Sequence, residues 1–172
     1  PVSVKLSSYY ANPLHHITEL DRWGAKGFVL FNRLFHPDFD IEKEENIYAV
    51  NLSGHEDHRL AVRFAGLLYD RINGSVCASN GIHTTEHVVR ALLAGADCVQ
   101  MVSAVLKNSP SVIEKVKQEL SDWMDKKKYG SVKDFQGKLS YKHHPDTWTY
   151  KREKYIKILQ SGKDLMKKMS II

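Results

Sequence analysis

The 172-residue sequence predicts an α/β fold in which short buried parallel strands alternate with amphipathic helices. Three observations carry this prediction. The apolar runs Gly27–Asn32 (GFVLFN), Ser75–Ser79 (SVCAS) and Cys98–Val102 (CVQMV) lack polar alternation and have the length of strands covered on both faces. The segments between them repeat apolar residues at helical spacing, as at Val88, Val89, Leu92 and Leu93. Glycines punctuate the rhythm, with Gly24, Gly74 and Gly95 standing where a helix should stop. With Val2–Leu6 added, the parallel strands make half of a (β/α)8 barrel, its fifth to eighth strands, followed by C-terminal helices. The expected division is a half barrel over 1–110, with an insertion at about 33–57, and a helical extension over 111–172.

The first strand alternates Val2, Val4 and Leu6, and its start without a methionine creates the expectation that a segment precedes it. Asn12 caps the next helix, Pro13 takes its first position, and Leu14, Ile17, Leu20 and Trp23 form the stripe to be buried. The polar connection after Asn32, RLFHPDFDIEKEEN, is too long for an ordinary strand-to-helix loop, so it should carry function or local structure. Ile47–Leu52 reads as a short strand inside that insertion. A helix over about His58–Arg71 should bury Leu60, Phe64, Leu67 and Leu68, and Asn73-Gly74 ends it. Thr84 and Thr85 are candidate caps for the helix that follows Ser75–Ser79. Beyond Ala104 the pattern is helical, from Ser111 to about Lys128 and again from about Thr149 to Met166, with a turn at Ser131–Gln136 between.

Composition is that of a water-soluble globular chain, with 42% hydrophobic and 26% charged residues. No apolar run is long enough to cross a bilayer and no signal-like leader is visible, so a cytoplasmic protein without membrane partners is expected. The net charge of +5 gathers in the last third, where lysines alternate with acids and apolar stripe residues. That pattern is the solvated face of helices rather than a nucleic-acid surface. Cys77 and Cys98 lie in strands without CxxC or Cys/His spacing, so buried reduced thiols are expected, with no disulfide framework and no metal site.

Two loops leave the carboxyl ends of the last two strands, Asn80–His83 and Ser103–Ala104, where barrels of this type frequently bind phosphate. Gly81 permits close backbone approach, while Ser79, Asn80, Thr84 and Ser103 donate hydrogen bonds without adding charge. Glycines at these positions serve equally as turn residues of any βαβ unit. His83 is expected to be a solvent-exposed loop residue, and the pairs His15-His16 and His143-His144 lack metal-site spacing.

The wording SNGIHTTEHVVRALLAGADCVQMVSA resembles the last barrel repeat of the dihydroorotate dehydrogenase family, and VKLS, FNRLFHPDFDIE, LSGHEDHRLAVRFAGLL, DWM and FQGKLS extend the likeness. With PDTWTYKREKYIKILQ it runs from Pro1 nearly to Gln160, pointing to the dihydroorotate dehydrogenase-like subgroup. The resemblance implies an oxidoreductase with flavin mononucleotide (FMN) as cofactor, moving a hydride from a dihydroorotate-like substrate to the flavin. It implies Lys5 beside the flavin pyrimidine ring, Asn32 on the substrate, and Ser53 and Gly54 along the flavin. Asn80 and Gly81 match a Gly-Gly pair, and Val102 and Ser103 a Gly-Thr or Gly-Ser pair, at the cofactor phosphate. Arg33 stands where the family has Ser or Thr, which points to a substrate other than dihydroorotate.

The resemblance places the proton-abstracting cysteine or serine before Pro1, so no catalytic residue is expected in this chain and the isolated chain should be inactive. A complementary N-terminal half barrel, or self-association, is then the expected partner. Two other readings remain open: a phosphosugar-binding barrel enzyme using the same two loops, and a non-catalytic module whose basic C-terminal helix binds an acidic partner.

Overall fold

The computed structural model describes residues 1–33, 38–48 and 51–145. Strands β1 (Ser3–Ser7), β2 (Gly27–Asn32), β5 (Ser75–Ala78) and β6 (Cys98–Val99) form one sheet, in that spatial order and parallel throughout. Chain order and sheet order coincide, so the connections never reverse and the helices collect on one face. The register places Leu6 beside Leu30, which is level with Ala78, while Phe28 pairs with Val76, and all five are buried against the helices. Residues one step out of phase, Lys5, Val29, Cys77 and Cys98, form a single row on the opposite face.

Helix α1 (Pro13–Arg22) starts as its sequence dictates, with the Asn12 side chain accepting from the His15 N–H at 3.2 Å. Ile17 is its buried residue, whereas Trp23, expected in the stripe, lies past the helix end and is exposed. Helix α2 (His58–Leu68) packs on the sheet mainly through Ala61, Ala65 and Leu68, the two alanines letting it approach closely. Leu60, expected inside, is exposed. The helix stops short of Arg71 because Tyr69 turns extended and Asp70 takes a left-handed φ of 60°.

Helix α3 (Thr85–Ala94) joins two cores. Ala91 and Ala94 enter the cluster under the sheet, while Val88 and Leu92 enter a second one with Val116 of α5 (Ser111–Lys127) and Phe135. This second cluster holds α5 against α3. The fourth strand is shorter than Cys98–Val102 because Val102 already begins α4 (Val102–Lys107).

Within the long connection, β3 (Asp38–Asp40) and β4 (Glu45–Ile47) form an antiparallel ribbon of their own. The expected strand Ile47–Leu52 is corrected accordingly: among its described residues only Ile47 is in a strand, and Tyr48, Asn51 and Leu52 are irregular. Glu45–Ile47 is exposed throughout and pairs with its neighbour in the ribbon rather than with the parallel sheet. The helix expected over Thr149–Met166 lies outside the described residues.

Candidate functional site

At the carboxyl end of the parallel sheet a cavity of about 210 Å³ opens between the ends of β1, β2, β5 and the start of α4. Its walls include Lys5, Asn32, Ser53, Asn80, Gly81, Val102 and Ser103, so seven of the eight residues singled out in the sequence meet at one place. Gly54 stands behind the wall, its N–H bonded to the Asp57 carboxylate at 2.8 Å. Ser79, Gln100 and Arg33 also line the cavity; Ser79 is one of the donors expected at the first loop, whereas Gln100 is singled out by geometry alone.

Ser53 ties the site together. Its hydroxyl accepts from the Gly81 N–H at 3.0 Å and donates to Ser103 Oγ at 2.9 Å, and its own N–H donates to the same Ser103 oxygen at 3.0 Å. Its carbonyl receives Lys107 Nζ at 3.1 Å and His83 Nε2 at 2.9 Å. Three loops far apart in the chain are thereby held in one arrangement around a buried serine.

Asn80 occupies a left-handed φ of 74°, as does Gly81 at 62°. Asparagine is the side-chain-bearing residue that tolerates this region best, and Asn80 anchors itself by donating Nδ2 to the Phe31 carbonyl at 2.8 Å. An asparagine therefore meets the backbone demand at the first position of the pair. Gly81 cannot be replaced so easily: a Cβ there would lie 2.4 Å from the His58 nitrogen and 2.7 Å from the Gly54 carbonyl oxygen. The turn is glycine-bound because α2 begins against it.

Lys5 projects from the row facing away from the helices, exposed, with Nζ 3.4 Å from Gln100 Oε1. Arg33 is spread along the wall, donating from Nε to the Asn51 carbonyl and from NH2 to Asn51 Oδ1, each at 3.0 Å, and pairing through NH1 with Asp57 at 2.5 Å. It braces the segment that carries Ser53. Among the described residues the lining offers amides, hydroxyls, backbone N–H groups and cations, and no carboxylate.

Histidines form the back of the site, and here the expectation for His83 is corrected. It is buried rather than solvated, because Ser53 and His55 of the preceding segment and His87 of α3 close over it. His55 stacks on His83 with ring centres 4.6 Å apart, and His58 stacks on His87 at 4.1 Å. The His83 N–H donates to His87 Nδ1 at 3.2 Å, so that nitrogen carries no proton. Burial, reinforced by the neighbouring His58, Arg90, His55 and His83, lowers the His87 pKa from 6.5 to about 4. Burial also lowers that of His83, partly opposed by its bond to Ser53.

Of the two thiols, Cys77 is buried as expected, but Cys98 is exposed because it lies on the edge strand of the face without helices. Among the described residues no group of three or more His, Cys, Asp or Glu side chains is arranged to hold a metal, and no helix is long and apolar enough to cross a membrane.

Comparison with known proteins completes the description. The chain is 27% identical over 140 residues to the catalytic subunit of dihydroorotate dehydrogenase B (NAD(+)) of Shouchella clausii, a match covering 80% of this chain and 46% of the relative. It is 30% identical over 146 residues to the corresponding subunit of Bacillus pumilus, covering 83% and 46%. The chain thus spans just under half the length of these relatives. Its fold matches that of DHODH from Eimeria tenella in complex with ferulenol, with a TM-score of 0.64 at 20% identity, covering 83% of this chain and 38% of the other. The sequence model of the family described as dihydroorotate dehydrogenase matches residues 1–124, and on that match the chain belongs to the dihydroorotate dehydrogenase family.

Proposed function

We propose that this chain is the cofactor-phosphate half of an FMN-dependent oxidoreductase of the dihydroorotate dehydrogenase type. The observation that carries this reading is the meeting of Lys5, Asn32, Ser53, Asn80, Gly81 and Ser103 around one cavity at the carboxyl end of a parallel sheet. The donor set fits FMN. The loop at Gly81 and the first residues of α4 supply neutral donors for a phosphate, and Lys5 supplies a cation for the pyrimidine side of the ring. When bound, FMN would accept a hydride from the substrate.

The chain's own residues bind and orient. Asn32, with donors and an acceptor on one amide, holds a substrate ring amide or carboxylate. Arg33, fully engaged with Asn51 and Asp57, keeps the 51–57 segment in place and removes the small hydroxyl that dihydroorotate enzymes have there, so the substrate is a related cyclic amide rather than dihydroorotate itself. The proton-abstracting residue comes from a complementary half barrel. Among the described residues β1 and β6 have no strand on their outer edges, where such a half, or a second copy of this chain, would close the sheet. Residues 1–110 supply the half barrel and 111–145 an extension packed outside it, and the protein works in the cytoplasm.

A phosphosugar isomerase would need a carboxylate base in the cavity, and the lining has none among the described residues. The test is a fluorescence titration of FMN into the purified chain, alone and with the N-terminal half of a relative, alongside the visible spectrum. Saturable binding with a perturbed flavin band supports the reading. Absence of binding in both cases, with the chain folded by circular dichroism, overturns it.

A further inference from the structure

The loop that lines the cavity with Asn80, Gly81 and Ile82 is held from behind by His83 and His87, which stand outside the lining. Two of its anchors end on Ser53. The Gly81 N–H donates to the Ser53 hydroxyl at 3.0 Å, and His83 Nε2 donates to the Ser53 carbonyl at 2.9 Å. The third anchor is the His83 N–H, which donates to His87 Nδ1 at 3.2 Å. His87 is the third residue of α3, the position from which a capping side chain reaches back over the start of its helix. Both histidines are more than nine-tenths buried, so water is a poor substitute for either bond.

We propose that His87 is a positioning residue for the cofactor phosphate: as a neutral imidazole with its proton on Nε2, it fixes the His83 N–H and thereby sets the 80–83 loop for the anion. The assignment rests on the reading of this cavity as a flavin site. An imidazolium at position 87 would present a second donor to the His83 N–H, and the anchor would be lost. The surroundings prevent that. His58 of α2 stacks on the His87 ring at 4.1 Å, and His55, in the turn before α2, stands edge-on to it at 5.5 Å. Together with His83 and with Arg90 of α3, they oppose a further positive charge, and burial acts in the same direction, bringing the His87 pKa to about 4. His83 is set likewise: burial, His55 and Lys107 of α4 oppose its protonation, while its bond to Ser53 and the charge of Asp57 favour it.

The experiment compares the wild-type chain with His87→Asn, His87→Gln and His87→Leu. Asparagine puts an acceptor where Nδ1 stands, glutamine puts one where Nε2 stands, and leucine offers neither. Two-bond proton–nitrogen spectra of the wild type at neutral pH should show His87 with a bare Nδ1 and a protonated Nε2. Exchange of the His83 amide should stay slow in His87→Asn and quicken by roughly tenfold in His87→Gln and His87→Leu. FMN, and riboflavin as the probe without a phosphate, are titrated into each chain, alone or with the N-terminal half of a relative, whichever supports wild-type binding. FMN affinity should hold within about twofold in His87→Asn and fall by roughly fivefold in the other two, with riboflavin affinity unchanged.

A protonated Nδ1 in the wild type overturns the proposal. So does His83 exchange or FMN affinity that is the same in all three variants, or a loss shared equally by FMN and riboflavin. A wild type that binds no flavin overturns the flavin reading instead, and the tautomer and the exchange rates then decide by themselves whether His87 sets the loop. The tautomer is read on the wild type, so that arm stands even if a variant fails to fold.

Discussion

Ser53 and Ser103, fifty positions apart in the chain, are joined by two hydrogen bonds that end on the same oxygen, Ser103 Oγ. The hydroxyl of Ser53 simultaneously accepts the Gly81 N–H, so the two candidate phosphate loops are coupled through one buried side chain. Ser53→Ala removes that acceptor and leaves a buried N–H unpaired. The expected cost is about 1–3 kcal/mol in urea-induced unfolding, with a loss of FMN affinity in titration. An unchanged midpoint would show that water replaces the hydroxyl.

The two left-handed residues of the loop should respond differently. Gly81→Ala drives a Cβ into the start of α2 and strains φ, so a loss of more than about 2 kcal/mol or failure to fold is expected. Asn80→Gly relieves φ and loses only the bond to the Phe31 carbonyl, so it should stay within about 1 kcal/mol of wild type. Thermal unfolding of the pair checks the order, and equal losses would contradict it.

Stability should fall on acidification through the histidine cluster. His87 titrates at about 4 in the folded chain and 6.5 in the unfolded one, so between these values the unfolded state binds more protons. Stability then rises with pH across this window and is lost as pH falls from 6.5 towards 4. The contribution of His87 is at most about 3–4 kcal/mol, at about 1.4 kcal/mol per pH unit over the window. His83, also lowered, acts in the same direction. His87→Asn should flatten urea midpoints measured between these pH values, and a slope as steep as wild type would assign the effect elsewhere.

Lys5→Met tests the cation of the cavity without disturbing the core. Its side chain is exposed and bonded only weakly to Gln100, so unfolding should shift by no more than about 0.5 kcal/mol. FMN binding should weaken by about tenfold or less. Equal flavin affinity would remove Lys5 from the cofactor site.

Arg33→Ser restores the small hydroxyl of the family pattern and releases Asn51 and Asp57. Hydrogen exchange should quicken at Gly54, whose N–H depends on Asp57 staying in place. Global stability should change by about 1 kcal/mol or less, since the ion pair is partly exposed.

Local rules in the sequence were sufficient for the repeating βα rhythm. Asn12 and Pro13 begin α1, Gly95 closes α3, and the runs GFVLFN and SVCA become buried strands, because each depends on neighbours only a few residues away. Of the seven cavity residues, Asn80, Gly81 and Ser103 were legible from strand ends and a glycine turn, whereas Lys5, Asn32, Ser53 and Val102 were marked by the resemblance to the dihydroorotate dehydrogenase family. What surrounds them was decided by tertiary packing. His83 turned from an expected surface residue into a buried one because Ser53 and His55, some thirty positions earlier in the chain, fold over it, and no residue near His83 in sequence encodes that approach. Cys98 became exposed for the complementary reason: a run of apolar residues specifies a strand, but which of its faces is covered depends on where the helices go. The same holds for Arg33, whose partners Asn51 and Asp57 lie 18 and 24 positions away, beyond the reach of any periodic pattern.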